Sequence, residues 1–210
     1  MKITVISPTN YIKNEHEIVL GLFEKGLTTY HIKKPLYSKN TLKEYINKIP
    51  KQFHDRIVIH SHHTLVRKFN LLGLHYSDRD LEFNFRNWWR EKLIASKAEK
   101  TIKTTSHKKL ATLYEKREVD CDYVFLLPVF NPITGHYQSG YYEDGLKAAI
   151  KKSKDKIIVM GGVNIDRIEK ILELGFYGMG LNSCLWDKEN PVEEYCKIIA
   201  RCKELGVLVE

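Results

Sequence analysis

Seven of the nine histidines, His31, His60, His62, His63, His75, His107 and His136, stand in short polar segments that follow apolar runs. Lys33, Asp80, Thr105, Thr134, Gly162, Asn182 and Ser183 occupy the same kind of position. These residue types suggest three chemistries. Imidazoles serve as hydrogen-bonding groups, proton-transfer groups or metal ligands near neutral pH. Gly161-Gly162 and Asn182-Ser183 are turns of the type that present backbone N–H groups to a phosphate at a helix start. His60 and His62 form His-x-His, which on a strand puts both rings on one face. Together with His31, His75, His107 or Asp80 they could complete a divalent-metal site.

The elements that must position these residues alternate. Strand-like runs cover Ile3–Ser7, Thr29–Lys33, Ile57–Ser61, Gly73–Ser77, Thr101–Thr105, Tyr123–Phe130, Ile157–Gly161 and Gly178–Asn182. Several are apolar on both faces, as buried parallel strands are. Apolar residues at spacings of three and four predict helices over Glu15–Lys25, Lys39–Ile49, His107–Lys116, Asp166–Leu174 and Glu193–Leu205. Gly26, Gly175 and Gly206 close helical stretches, and Asn164 stands where an N-cap would. The segment Asp80–Glu91, with Trp88 and Trp89, is the least regular link.

Eight strands in 210 residues leave about 26 residues per unit, against roughly 30 for a βαβ unit counting both strands. The expected fold is α/β, a single (β/α)8 TIM barrel spanning residues 1–210. A doubly wound sheet is the alternative. It is weakened because Ser7-Pro8-Thr9-Asn10 stands where a G-x-G-x-x-G fingerprint would follow the first strand. In a barrel, chemistry gathers at the C-terminal strand ends, and the loops after strands seven and eight build the usual phosphate site.

Composition narrows the partners. A hydrophobic share of 43% with 29% charged residues is that of an ordinary globular chain. The formal charge of +8 suits an anionic partner. Its lysines are scattered along helical faces without a nucleic-acid-binding motif, so a phosphorylated metabolite is expected rather than nucleic acid. No apolar run reaches the length of a membrane span, and the amino-terminal run lacks a signal-peptide pattern. Four cysteines without a C-x-x-C pair read as reduced thiols. Together these features predict a cytoplasmic protein.

The order of these segments resembles the thiamine phosphate synthase and thiazole tautomerase family. Thr29-Tyr30-His31-Ile32-Lys33-Lys34 is similar to its Q/H-hydrophobe-R-x-K strand, and Gly73-Leu74-His75-Tyr76 with Asp80 to its G-[IL]-H-[LI]-x4-D segment. Thr105-Ser106-His107, Asp122-Tyr123-Val124 through Phe130 and Thr134, Gly161-Gly162-Val163, and Gly175 through Ser183 follow in the family's order. The resemblance covers nearly the whole chain. It implies a (β/α)8 barrel that joins 4-amino-2-methyl-5-hydroxymethylpyrimidine diphosphate to thiazole phosphate, using Mg²⁺ and releasing pyrophosphate. It implies substrate contacts at His31, Lys33, His60, Thr105, His107, Thr134, Gly162, Asn182 and Ser183, with Asp80 as a Mg²⁺ carboxylate. Barrels of this family often pair, so a homodimer is expected.

The chain departs from that pattern. The family's Asn-Asp after strand three is His60-Ser61, and the Arg and Lys of strand two become Lys33 and Pro35. Gly135-His136 replaces the Lys expected after Thr134, and Pro128 stands where a tautomerase carries its catalytic His. Three further readings are a tautomerase with a relocated base, a non-catalytic thiamine-phosphate-binding paralogue, and a His-rich metal-dependent hydrolase.

Overall fold

The structure, a computed structural model, describes residues 1–81, 101–115, 119–131, 136–138 and 141–210. Eight parallel strands close into a barrel in chain order. They are β1 Lys2–Ile6, β2 Tyr30–Ile32, β3 Ile57–Ile59, β4 Gly73–His75, β5 Ile102–His107, β6 Tyr123–Leu126, β7 Ile157–Met160 and β8 Gly178–Leu181. The chain divides into two compact units. Among the described residues, no helix is long and apolar enough to cross a membrane.

The amino-terminal unit comprises Ile6–Thr105 and Arg117–Asp122. Its helices are α1 Glu15–Glu24, α2 Lys39–Asn47, α3 Leu65–Phe69 and α4 Asp78–Leu81. Ser38 starts α2 by accepting a hydrogen bond from the Thr41 amide at 3.1 Å. The parallel register pairs His31 with Val58, Val58 with Gly73, and Gly73 with Ile102. Continuing the strands brings Lys33, His60, His75 and Thr104 to one level: the His60 amide donates to Ile32 O at 3.1 Å, and His75 pairs with Thr104. Gly73 is needed beneath this level, because a Cβ there would meet the Ile102 carbonyl oxygen at 2.2 Å.

Side chains alternate across a strand, so β2 presents two different faces. Tyr30 and Lys34 reach α1, while His31 and Lys33 lie on the opposite face. Glu15, at the start of α1, binds Lys34 Nζ at 2.7 Å with both side chains buried. Tyr45 of α2 donates to the same carboxylate at 2.5 Å and Tyr30 at 3.3 Å. Lys34 Nζ also donates to Pro8 O at 2.7 Å. Burial, and then the Glu15 charge, raise the Tyr30 hydroxyl pKa well above its ordinary value, so it stays protonated as a donor. This buried cluster ties β2, α1, α2 and the loop after β1 together at the strand end that carries Lys33.

The carboxy-terminal unit comprises Met1–Val5, Ser106–Lys116 and Tyr123–Glu210. There β1 pairs with β8, β8 with β7, and β7 with β6. Its helices are α5 Glu143–Lys152, α6 Ile168–Glu173, α7 Ser183–Trp186 and α8 Pro191–Glu204. Pro191 opens α8, where Asn190 accepts from the Glu193 amide at 3.1 Å.

Several boundaries differ from the sequence expectation. Strands β2, β3 and β6 end one to four residues early, at Ile32, Ile59 and Leu126. Over its described residues, 107–115, the helix expected for His107–Lys116 is not formed. Strand β5 runs through His107, and only a 3₁₀ turn follows at Ala111–Tyr114. Leu110 and Leu113 are three apart, a spacing that a 3₁₀ turn satisfies as well as an α-helix does. Helix α5 was not anticipated, because its apolar residues Leu146, Ala149 and Ile150 are few among charged neighbours. Asn164 stands at the expected turn but makes no side-chain cap bond. Gly26, Gly175 and Gly206 adopt positive φ, as closing residues should.

The Glu15 cluster yields a stability prediction. Lys34→Met leaves a buried carboxylate without its cation and should cost about 3–5 kcal/mol. Urea unfolding of the variant against wild type checks this; a loss below about 1 kcal/mol, the range of an exposed pair, contradicts it.

Candidate functional site

Three imidazoles meet on the face of β2–β4 turned away from α1 and α2. His31 Nδ1 lies 3.0 Å from His60 Nε2, so one proton is shared between two ring nitrogens. The His60 and His75 rings stack with centroids 4.0 Å apart at 15°, and His31 meets His75 edge-on at 6.0 Å. One ring nitrogen from each of the three lies within 4.8 Å of the others. The register explains the meeting: His60 and His75 stand at one level of adjacent strands, and His31 stands one pleat below on the neighbouring strand.

The surroundings fix these rings. Thr104 Oγ1 donates to Leu74 O at 3.4 Å and lies 2.9 Å from His75 Nδ1. With that hydroxyl donating to Leu74 O, it accepts from His75 Nδ1–H, the tautomer that leaves the His75 lone pair on Nε2. His63 Nε2 lies 3.1 Å from His75 O, where it acts as donor. Burial, followed by the Lys33 and His63 charges, lowers the His75 pKa to about 3, although Asp80 acts in the other direction. Burial first, and then His75 and His31, hold His60 well below the usual histidine value. His60 and His75 are therefore neutral at physiological pH.

Asp80 and Lys33 flank this cluster. Asp80 Oδ2 accepts from the Ser77 amide at 3.0 Å and from Ser77 Oγ at 2.6 Å, which orients the carboxylate at the end of β4. Lys33 is exposed, and its amide donates to Ser7 Oγ at 2.8 Å. Lys34 cannot share the task of holding an anion there, because Glu15 and Pro8 O engage its ammonium. Thr105 is buried and donates to Tyr76 O at 3.1 Å.

The other expected residues divide. His62 does not join His60 on a strand face. The strand ends at Ile59, His62 has φ 52°, and its Nε2 lies 3.0 Å from Tyr37 O. His107, in the carboxy-terminal unit, lies 2.9 Å from the Thr112 hydroxyl, which donates to Lys109 O. Thr134 lies outside the described residues.

In the carboxy-terminal unit, Gly161 and Gly162 follow β7, and Asn182 precedes α7, which begins at Ser183. Met160 pairs with Gly180, so continuing the register sets Gly162 level with Asn182. Gly162 has φ +67°, and a Cβ there would meet the Phe130 carbonyl oxygen at 2.5 Å. Only glycine fits so near a neighbouring backbone. Arg167 donates to Gly162 O, and its guanidinium carbon lies 5.4 Å from the Phe130 ring centroid. Arg167 was not singled out from the sequence, since its place five residues beyond the glycine turn carries no motif.

No protein-family model matches the chain. The thiamine-phosphate synthase of Flavobacterium psychrophilum is 24% identical over 203 residues, covering 91% of this chain and 94% of the relative. A thiamine-phosphate synthase of Prochlorococcus marinus is 26% identical over 97% of the chain, which spans only 58% of that relative's length. The crystal structure of thiamine phosphate pyrophosphorylase from Bacteroides thetaiotaomicron superposes with a TM-score of 0.77 at 25% identity, over 97% of this chain and 98% of that one. The chain is related to the thiamine-phosphate synthases. Within the imidazole cluster, His60 stands where the family resemblance leads one to expect an Asn, whereas His31 and His75 stand at positions where its pattern allows or carries a His.

The neutral imidazoles yield a pH prediction. An unfolded histidine takes up a proton near pH 6.5, whereas folded His75 does so only at about 3. Between these values the unfolded state binds the extra proton, so stability falls as pH drops below about 6.5. Urea unfolding with chelator present, from pH 7 to pH 4.5, should show a shallower fall for His75→Asn than for wild type. Parallel slopes contradict the buried, neutral assignment.

Proposed function

We propose that this chain is a thiamine-phosphate synthase, a transferase that joins an aminopyrimidine methyl diphosphate to a thiazole phosphate. In that reaction the carbon–oxygen bond to the diphosphate breaks and pyrophosphate leaves with the electron pair. The thiazole nitrogen then forms the new bond to the methylene carbon, giving thiamine phosphate. The observation that carries this reading is the similarity, along almost the whole chain, to proteins named thiamine-phosphate synthase.

The residues support particular roles. A neutral imidazole carries one donor and one acceptor, as a side-chain amide does in simpler form. His60 can thus stand in for the Asn amide expected there and, with His31, at a position where the family pattern has Gln or His, read the donor–acceptor edge of an aminopyrimidine. Lys33 supplies positive charge for the departing diphosphate. It does so as a point charge, without the two-pronged grip of an arginine. Thr105 and His107 belong to the substrate contacts that the resemblance assigns, as does Thr134. Gly162, Asn182 and Ser183 are assigned to the thiazole phosphate.

Mg²⁺ is commonly held through one or two carboxylates together with substrate phosphates and water. Asp80, oriented by Ser77, fits the role of a single carboxylate. Bound there, the ion would neutralise charge developing on the diphosphate. Ser61 replaces the second carboxylate, so the metal requirement should be weaker than in a two-carboxylate site. The same reading takes phosphorylated small molecules as partners and describes a cytoplasmic homodimer.

Incubating both phosphorylated substrates with Mg²⁺ should release pyrophosphate and form thiamine phosphate in equal amounts. No product at high protein concentration contradicts the assignment. Ser61→Asp should lower the Mg²⁺ concentration for half-maximal rate several-fold; an unchanged metal response contradicts the placement of Ser61 beside the diphosphate.

A further inference from the structure

We propose that His31, His60 and His75 form a binding site for a borderline transition-metal ion, such as Zn²⁺ or Co²⁺, distinct from the Mg²⁺ expected at Asp80. Three features of the cluster carry this.

The first is spacing. A tetrahedral ion with metal–nitrogen bonds of about 2.0–2.1 Å holds its ligand nitrogens about 3.3 Å apart. His31 Nδ1 and His60 Nε2 are already 3.0 Å apart, and one nitrogen from each of the three rings lies within 4.8 Å of the others. Small ring rotations suffice to bring the set to ligand spacing. For both facing nitrogens to ligate, the ring that now donates the hydrogen bond between His31 and His60 carries its proton on its other nitrogen, so each ring stays neutral and offers a lone pair to the cation.

The second is ligand chemistry. An imidazole binds metal through its neutral form, and the ring nitrogen away from the metal is ordinarily held by a hydrogen bond that fixes the tautomer. Thr104 supplies that bond to His75 Nδ1 at 2.9 Å, with the lone pair left on Nε2. Imidazole nitrogen selects Zn²⁺, Co²⁺ or Ni²⁺ over Mg²⁺, which demands oxygen.

The third is support. His31 is fully buried, and adjacent strands β2, β3 and β4 bring the three rings together. Three protein nitrogens leave a fourth position for water or an anionic oxygen, as in metal sites that act on substrates. The nearby Lys33 charge opposes a cation, and Asp80 opposes that effect. Metal and aminopyrimidine would compete for the same nitrogens, so metal occupancy would suppress substrate binding.

The test uses the full chain, freed of any purification tag and treated with chelator, titrated with Co²⁺. Wild type should take up one equivalent with a visible absorption band, displaced by one equivalent of Zn²⁺. His60→Asn and His75→Ala should each weaken uptake at least about tenfold, the lower range for loss of metal-site groups. His62→Ala should bind as wild type does, because His62 faces Tyr37 O in the turn. Circular dichroism and the melting temperature identify a variant that has failed to fold. If His75→Ala fails, His60→Asn, at a partly exposed position, decides. Absence of a Co²⁺ band in wild type, or undiminished uptake by folded His60→Asn, overturns the proposal. The cobalt spectrum is independent of pyrophosphate release, so a negative synthase assay leaves this result standing, and the reverse also holds.

Discussion

The parallel register of β2, β3, β4 and β5 decides which side chains meet. Because His31 is level with Val58 and His75 with Thr104, the faces of these strands align over successive pleats. One face gathers His31, His60, His75 and Thr104. The opposite face sends Tyr30 and Lys34 to Glu15 and the helices. A one-residue slip of β2 would exchange the two sets, placing the Lys34 ammonium among the imidazoles and His31 against α1. The Glu15 cluster therefore does more than add stability. It fixes the orientation of β2, and with it the face on which His31 and Lys33 stand.

Burial and charge act together on this arrangement. Lys34, although adjacent to Lys33 in sequence, is used up in the interior, and Lys33 remains as the exposed cation of the β2 end. His60 and His75 are neutral for a related reason: desolvation first, and then neighbouring positive charge, disfavours their charged forms. Two residues that look like added positive charge in the sequence are thus polar, uncharged groups that can donate, accept or ligate. The distinction separates a site that attracts an anion by bulk charge from one that reads a ring edge or holds a metal.

Much of the barrel could be read from residue order, because β-branched runs alternate with helical spacings and closing glycines. The order of all eight strands follows from that alternation. The site was only partly readable. Sequence spacing suggested His60 with His62, but strand β3 stops at Ile59 and the turn carries His62 away. His60 meets His31 at 3.0 Å and stacks on His75, fifteen residues on, and only the register of β2, β3 and β4 brings the three rings together. Similarly, nothing in the run Lys33-Lys34 says which lysine is buried until Glu15 is seen beneath it. Local pattern identified the strands; contacts between strands determined the chemistry.

The central claim is that His60 and His75 are neutral, with the His75 proton on Nδ1 held by Thr104. Imidazole nitrogen NMR of the chelator-treated protein between pH 5 and pH 8 tests it directly. The account predicts nitrogen shifts of neutral rings throughout this range, with a persistent Nδ1–H signal for His75 that Thr104→Val removes. Titration of either ring with a midpoint near pH 6.5, or a proton on Nε2 of His75, would contradict it.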